Sequence, residues 1–288
     1  MALAALTSVI WGLAFVAIKF GLESFSAPEL TALRFIIACL PAFFLPRPAL
    51  SWARLIVIGS TLFTGQFLLL FFAYGEGMPP GLASVTQQMQ AFFTVLLAAL
   101  FLREMPTRRQ AAGMAIAFAG LAAIAATVGG DLMPAGLALA LGGALSWAIG
   151  NVLVKGVGTV PMAPLMAWLS LVPPLPALLV SAIHDRRVPL WHALGTVSWS
   201  SLAAALYLGA VATSLAYALW GRLLARYPAA LVAPFALLAP AAGMLASALV
   251  FGERFAPLRY IGMALIVAGL AVAVLPRRRP SATILARD

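Results

Sequence analysis

Apolar runs fill this chain, separated by short groups of charge, proline and glycine. Read against that punctuation, they predict helices near 3–21, 30–45, 55–74, 81–102, 110–128, 135–154, 163–183, 199–220, 229–251 and 258–275. Most are close to the ~20 residues that carry a helix across a hydrocarbon core. Stretches such as Leu62 to Ala73 and Leu96 to Leu102 place apolar residues on every face. A membrane β-strand would instead alternate polar and apolar positions, so helices are the expected spanning elements. Prolines at 173, 174 and 176 in the seventh run, and at 234 and 240 in the ninth, remove N–H donors and predict kinks there.

Composition strengthens this reading. Of 288 residues, 64% are hydrophobic and 9% charged, against about a quarter charged in a typical soluble domain. Ten spans use most of the length, leaving short loops and no separate soluble domain. The net charge of +10 does not form the exposed basic stripe that nucleic acid requires. It follows membrane sidedness instead: 12 of the 18 Lys and Arg fall on the side that holds both termini, among them the run Arg277 to Arg279. The excess predicts cytoplasmic termini. Lys19, Arg34, Arg186, Arg187, Arg254 and Arg259 are assigned to the opposite side. The first run lacks a basic leader and a small-residue cleavage pattern, so it is expected to be a mature helix. Cys39 is the single cysteine, which excludes an internal disulfide and a cysteine metal cluster.

The chain also repeats itself. Trp11 precedes Lys19 by eight positions, and Trp147 precedes Lys155 by eight. Glu104 leads into Gly113-Met-Ala and Gly120-Leu, and Glu253 leads at the same spacing into Gly262-Met-Ala and Gly269-Leu. The first pair of matches lies 136 positions apart and the second 149, which predicts an insertion around His184 to Val197. The expected class is therefore an all-α integral membrane protein of ten transmembrane helices in two five-helix repeats, 1–130 and 131–288. Five is odd, so the second repeat is inverted. That arrangement holds substrate near the midplane in secondary transporters. A duplicated bundle serving as a membrane enzyme or receptor is the competing reading.

Enzyme chemistry would need clustered titratable groups. The eight acids are assigned to loops and helix ends, and His184 and His192 share one polar loop. No catalytic residue, metal site or cofactor is predicted. Proton-driven carriers commonly place an ionisable relay inside the membrane, and its expected absence points to facilitated transport. The residues read as lying at depth are amides, hydroxyls and aromatics. Amides both donate and accept, which suits a zwitterion. Trp11, Tyr74, Gln87, Gln90, Trp147, Asn151 and Tyr217 are the expected substrate contacts, with helix-to-helix bonding as the other role open to the amides. Gly113 with Gly120, and Gly262 with Gly269, are seven apart and mark close-packing faces on two scaffold helices. Lys19 and Lys155 are expected to reach for the interface, and Glu104 and Glu253 to form helix-end ion pairs.

Trp11-Gly12 through Lys19, Pro28-Glu29-Leu30 and Leu33-Arg34-Phe35 resemble the opening of drug/metabolite transporter superfamily members with paired EamA domains. Gly81 to Val85, Gln90-Ala-Phe-Phe and Arg103-Glu104 continue the likeness, as do Pro240 and Gly252-Glu253-Arg254. The resemblance covers nearly the whole chain and is closest to bacterial amino-acid exporters, of the YddG-like type or those for cysteine and O-acetylserine. It implies ten helices, cytoplasmic termini, a central cavity from helices 1–4 and 6–9, and a place in the bacterial inner membrane. It also implies neutral or aromatic amino acids as small-molecule cargo. Multidrug or other metabolite export on the same fold is the alternative. Sugar phosphates would need Lys or Arg at depth, and the sequence reading places none there.

Overall fold

The computed structural model describes residues 2–127, 132–158, 160–184, 195–227 and 232–274. Its rods are α1 (Ala2–Gly21), α2 (Ala27–Ala38), α3 (Trp52–Gly75), α4 (Pro80–Phe101), α5 (Arg108–Ala125), α6 (Pro134–Lys155), α7 (Met162–Ile183), α8 (Trp199–Arg226), α9 (Phe235–Phe251) and α10 (Pro257–Val274). Seven of these, all but α2, α5 and α9, are long and apolar enough to cross a membrane. The α2 helix has 12 residues, extended by a tight 3-10 turn at Leu40–Phe43. Arg108, Arg109 and Gln110 open α5 and lower its apolar character. Most of the expected insertion, with His192 and the Arg277–Arg279 run, lies outside the described residues.

Local chemistry fixes the helix ends. Ser26 and Glu29 form a reciprocal capping box at the start of α2, and Thr107 and Gln110 do the same for α5. Ser51 and Ser198 cap α3 and α8. Leu100, Leu175 and Leu249 are 71%, 67% and 77% exposed, far too much apolar surface for a water-facing monomer and as expected of a lipid-facing one. Inside, glycines let backbones touch. A Cβ on Gly113 would lie 2.5 Å from the Gly269 carbonyl oxygen, and one on Gly120 2.5 Å from that of Gly262. The two glycine faces thus meet each other, joining α5 and α10 as an antiparallel pair.

The rods are interrupted at defined places. Between Leu169 and Pro174, α7 breaks, and a 3-10 turn at Ala233–Leu237 precedes the regular part of α9. Both follow the prolines. Three further irregularities have no proline inside them. A wide π turn occupies Ser60–Gly65 in α3 and another Tyr207–Leu215 in α8, while α4 is interrupted between Thr86 and Met89. In α8 the Thr213 and Ser214 hydroxyls donate to carbonyls five residues back, at Leu208 and Gly209. Inserted side-chain bonds of this kind are one cause of π bulges and kinks. The regular helix restarts at Met89 in α4 and at Leu238 in α9, two positions 149 apart, the offset that also separates Glu104 from Glu253.

Candidate substrate-binding cavity

The two restarts open onto one central cavity of about 180 Å³, lined from α1, α2, α3, α4, α6, α8 and α9. Five of the seven expected contacts line it: Trp11, Gln87, Gln90, Trp147 and Tyr217. Its aromatic wall is continuous. Tyr217 stacks on Trp147 with ring centroids 6.2 Å apart and planes 19° apart, and Trp11 tilts against the same tyrosine at 5.5 Å. Phe67 meets Trp147 edge-on at 6.4 Å. The π turn in α8 helps to place this wall, because its Ala212 carbonyl accepts the Trp11 indole N–H at 3.1 Å.

Two amides beside the cavity hold buried acceptors. Gln87 donates through Nε2 to the Ala140 carbonyl at 2.9 Å, which leaves its Oε1 buried without a partner among the described residues. Gln66 Oε1 is in the same condition and also lines the cavity. A buried acceptor without a donor costs about 1–3 kcal/mol, so both oxygens are places of stored cost beside the cavity. The other two expected contacts lie elsewhere. Tyr74 donates its hydroxyl to the Phe15 carbonyl at 3.0 Å and lines a separate cavity. Asn151 donates to Thr94 Oγ1 at 3.3 Å, joining α6 to α4, which is the helix-bonding role left open for the amides.

The sequence reading missed Arg34. Counted there as a charge outside the membrane, it is 3% exposed and lines the central cavity. Its Nε donates to Thr213 Oγ1 at 3.0 Å, and its guanidinium carbon sits 3.9 Å from the centroid of Phe67. Thr213 is held in turn by its bond to Leu208 in the π turn. The expectation of no Lys or Arg at depth is therefore corrected. The signal was present: once Ser26 and Glu29 cap α2, Arg34 falls about two turns into the helix. Glu29 needs a second correction, since it is 4% exposed rather than solvated, its Oε2 accepting the Ser26 N–H. Among the described residues no group of three or more His, Cys, Asp or Glu could hold a metal ion.

The two ends of the bundle differ. At one end Lys155 is ion-paired with Glu104. At the other, Lys19 and Glu253 both line a cavity of about 590 Å³ with Tyr74, yet no ion pair joins them. Lys19 Nζ lies 4.2 Å from the Phe251 ring centroid, and Glu253 Oε2 accepts the Gly81 N–H at 3.1 Å. A further cavity of about 600 Å³ lies among Ala53, Val57, Leu97, Phe101, Ile149 and Leu153. It is larger than the central one but mostly apolar, with Arg54 as its charged lining residue.

Comparison with known proteins agrees with this architecture. A model of the EamA-like transporter family matches residues 1–126 and 134–275. The chain is 40% identical, over 94% of its length and 93% of the relative's, to a probable amino-acid metabolite efflux pump of Salmonella typhimurium. It is 28% identical to a probable terminal-alkyne amino-acid exporter of Streptantibioticus cattleyicolor, covering 96% and 95% of the two chains. A solved crystal structure superposes with a TM-score of 0.67 over 95% of this chain and 97% of that one, at 21% identity, a likeness of fold alone.

Proposed function

The chain belongs to the EamA-like transporter family, and from that premise we propose that it exports neutral and aromatic amino acids across the bacterial cytoplasmic membrane. The observation that carries the proposal is the central cavity. Stacked aromatic rings wall it, the amide residues Gln66, Gln87, Gln88 and Gln90 join its lining, and no Asp or Glu is among its lining residues. Such a site suits a neutral cargo with a polar end and an apolar or aromatic side chain. The names of the efflux-pump and exporter relatives favour the same cargo class.

In this reading α2, α5 and α9 cross the membrane with the other seven, giving ten spans in two inverted repeats with both termini cytoplasmic. The matched helix restarts and the π turns in α3 and α8 support the repeat. Alternating access is supported by the unequal ends, with Lys155 and Glu104 joined while Lys19 and Glu253 stand apart. Facilitated transport follows from the lack of an acid in the cavity lining. Trp11, Gln87, Gln90, Trp147 and Tyr217 bind cargo, and Tyr74 and Asn151 join neighbouring helices outside the cavity.

Counterflow in proteoliposomes at symmetric pH tests this. Vesicles preloaded singly with threonine, methionine, phenylalanine or cysteine should accumulate the labelled form of at least one in a saturable way. Absence of exchange for all four, with folded protein in the membrane, would overturn the amino-acid assignment.

A further inference from the structure

We infer that Arg34 is the carboxylate anchor of the central cavity, so that cargo is recognised first by its negative end. The inference rests on the amino-acid reading above and adds to it which group holds which end. A guanidinium carries five N–H donors, and Arg34 spends one of them, Nε, on Thr213. Its two Nη groups have no hydrogen-bond partner among the described residues. A cation buried at 3% exposure without a carboxylate beside it is costly in any protein interior. It is costlier still at membrane depth, where such residues are rare and mark substrate paths. The bond to Thr213 and the stack on Phe67 hold the guanidinium plane while leaving its far edge unpaired. That fork is the geometry that receives a carboxylate in two parallel hydrogen bonds.

No lining acid balances Arg34, so the cavity carries one sign of potential. The opposite end of a zwitterion then meets neutral lining residues, among them Gln66, Gln88 and Gln90. A hydrophobic cation, with no carboxylate, is repelled.

Two probes that share a ring and differ in charge decide this: 3-phenylpropionate and phenethylamine, added to the purified full chain in thermal-unfolding measurements. The acid should raise the unfolding temperature and the amine should not. Arg34→Gln should weaken the response to the acid about tenfold or more, while its own unfolding temperature stays level or rises, because a strained buried charge has been removed. A structural arginine would show the reverse, a large drop in stability. An equal or stronger response to the amine, or an unchanged response of Arg34→Gln to the acid, would overturn the anchor. If the variant fails to fold, the comparison of acid with amine on the wild-type chain still decides. Phenylalanine counterflow separates the two levels: acid binding through Arg34 without amino-acid exchange keeps the anchor and removes the amino-acid reading. Exchange that phenylalanine amide inhibits as well as phenylalanine does keeps the reading and removes the anchor.

Discussion

Tyr217 is the residue at which the two halves of the aromatic wall meet, since Trp11 and Trp147 both pack on its ring. It makes that wall with its face, so Tyr217→Phe should leave the apparent KM for exchanged amino acid within about twofold, whereas Tyr217→Ala should raise it about tenfold. Equal effects of the two would place the hydroxyl, not the ring, in the site. Asn151 makes the opposite case. Its 3.3 Å bond to Thr94 spans two helices, and such bonds average about 0.6 kcal/mol in membranes. Asn151→Ala should lower stability by about that amount in a denaturation series and leave KM unchanged. Positions such as Trp11 and Trp147 were legible in the sequence because each stands eight residues before a lysine that marks a helix end. Arg34 was not, because a lone arginine in an apolar run carries no mark of whether it faces a loop or a cavity. Only the capped start of α2 shows that this arginine cannot reach the loop.

At the scale of elements, the periodic apolar runs located the rods well, and proline located the breaks in α7 and α9. The π turns in α3 and α8 had no such marker. The one in α3 meets a partner from another helix, Ser146, whose hydroxyl donates to the Thr61 carbonyl at 2.7 Å, a contact that exists only after folding. The one in α8 carries the local hydroxyl bonds of Thr213 and Ser214. Which glycine faces meet was likewise invisible, although the seven-residue spacing declared that they pack. The contact between α5 and α10 leaves no room for a side chain at Gly120, where a Cβ would also lie 2.9 Å from the Ile266 nitrogen. Gly120→Leu should destabilise the protein by about 1–3 kcal/mol through overpacking, seen as a lower unfolding temperature. Because neither helix lines the central cavity, any variant that does fold should keep its KM.

For the molecule as a whole, the ion pair at one end and the separated lysine and glutamate at the other are expected to exchange roles during transport. The Lys155–Glu104 side chains are 54% and 50% exposed; pairs of that kind are weak, as a latch in the proposed cycle would need to be. Glu104→Gln should favour the state open at the Lys155 end, and Glu253→Gln should disfavour it. A cysteine at Thr94, in a Cys39→Ser background, would report this as faster maleimide labelling in the first variant and slower labelling in the second. Movement in the same direction in both would refute coupled ends. The π turn of α8 also makes chain length part of this machine's inheritance. Each residue of a helix turns it by about 100°, so deleting one residue within Tyr207–Leu215 would swing Tyr217 away from Trp147 while leaving a sound helix behind. Along this stretch a lineage can exchange one side chain for another far more freely than it can lose or gain a codon.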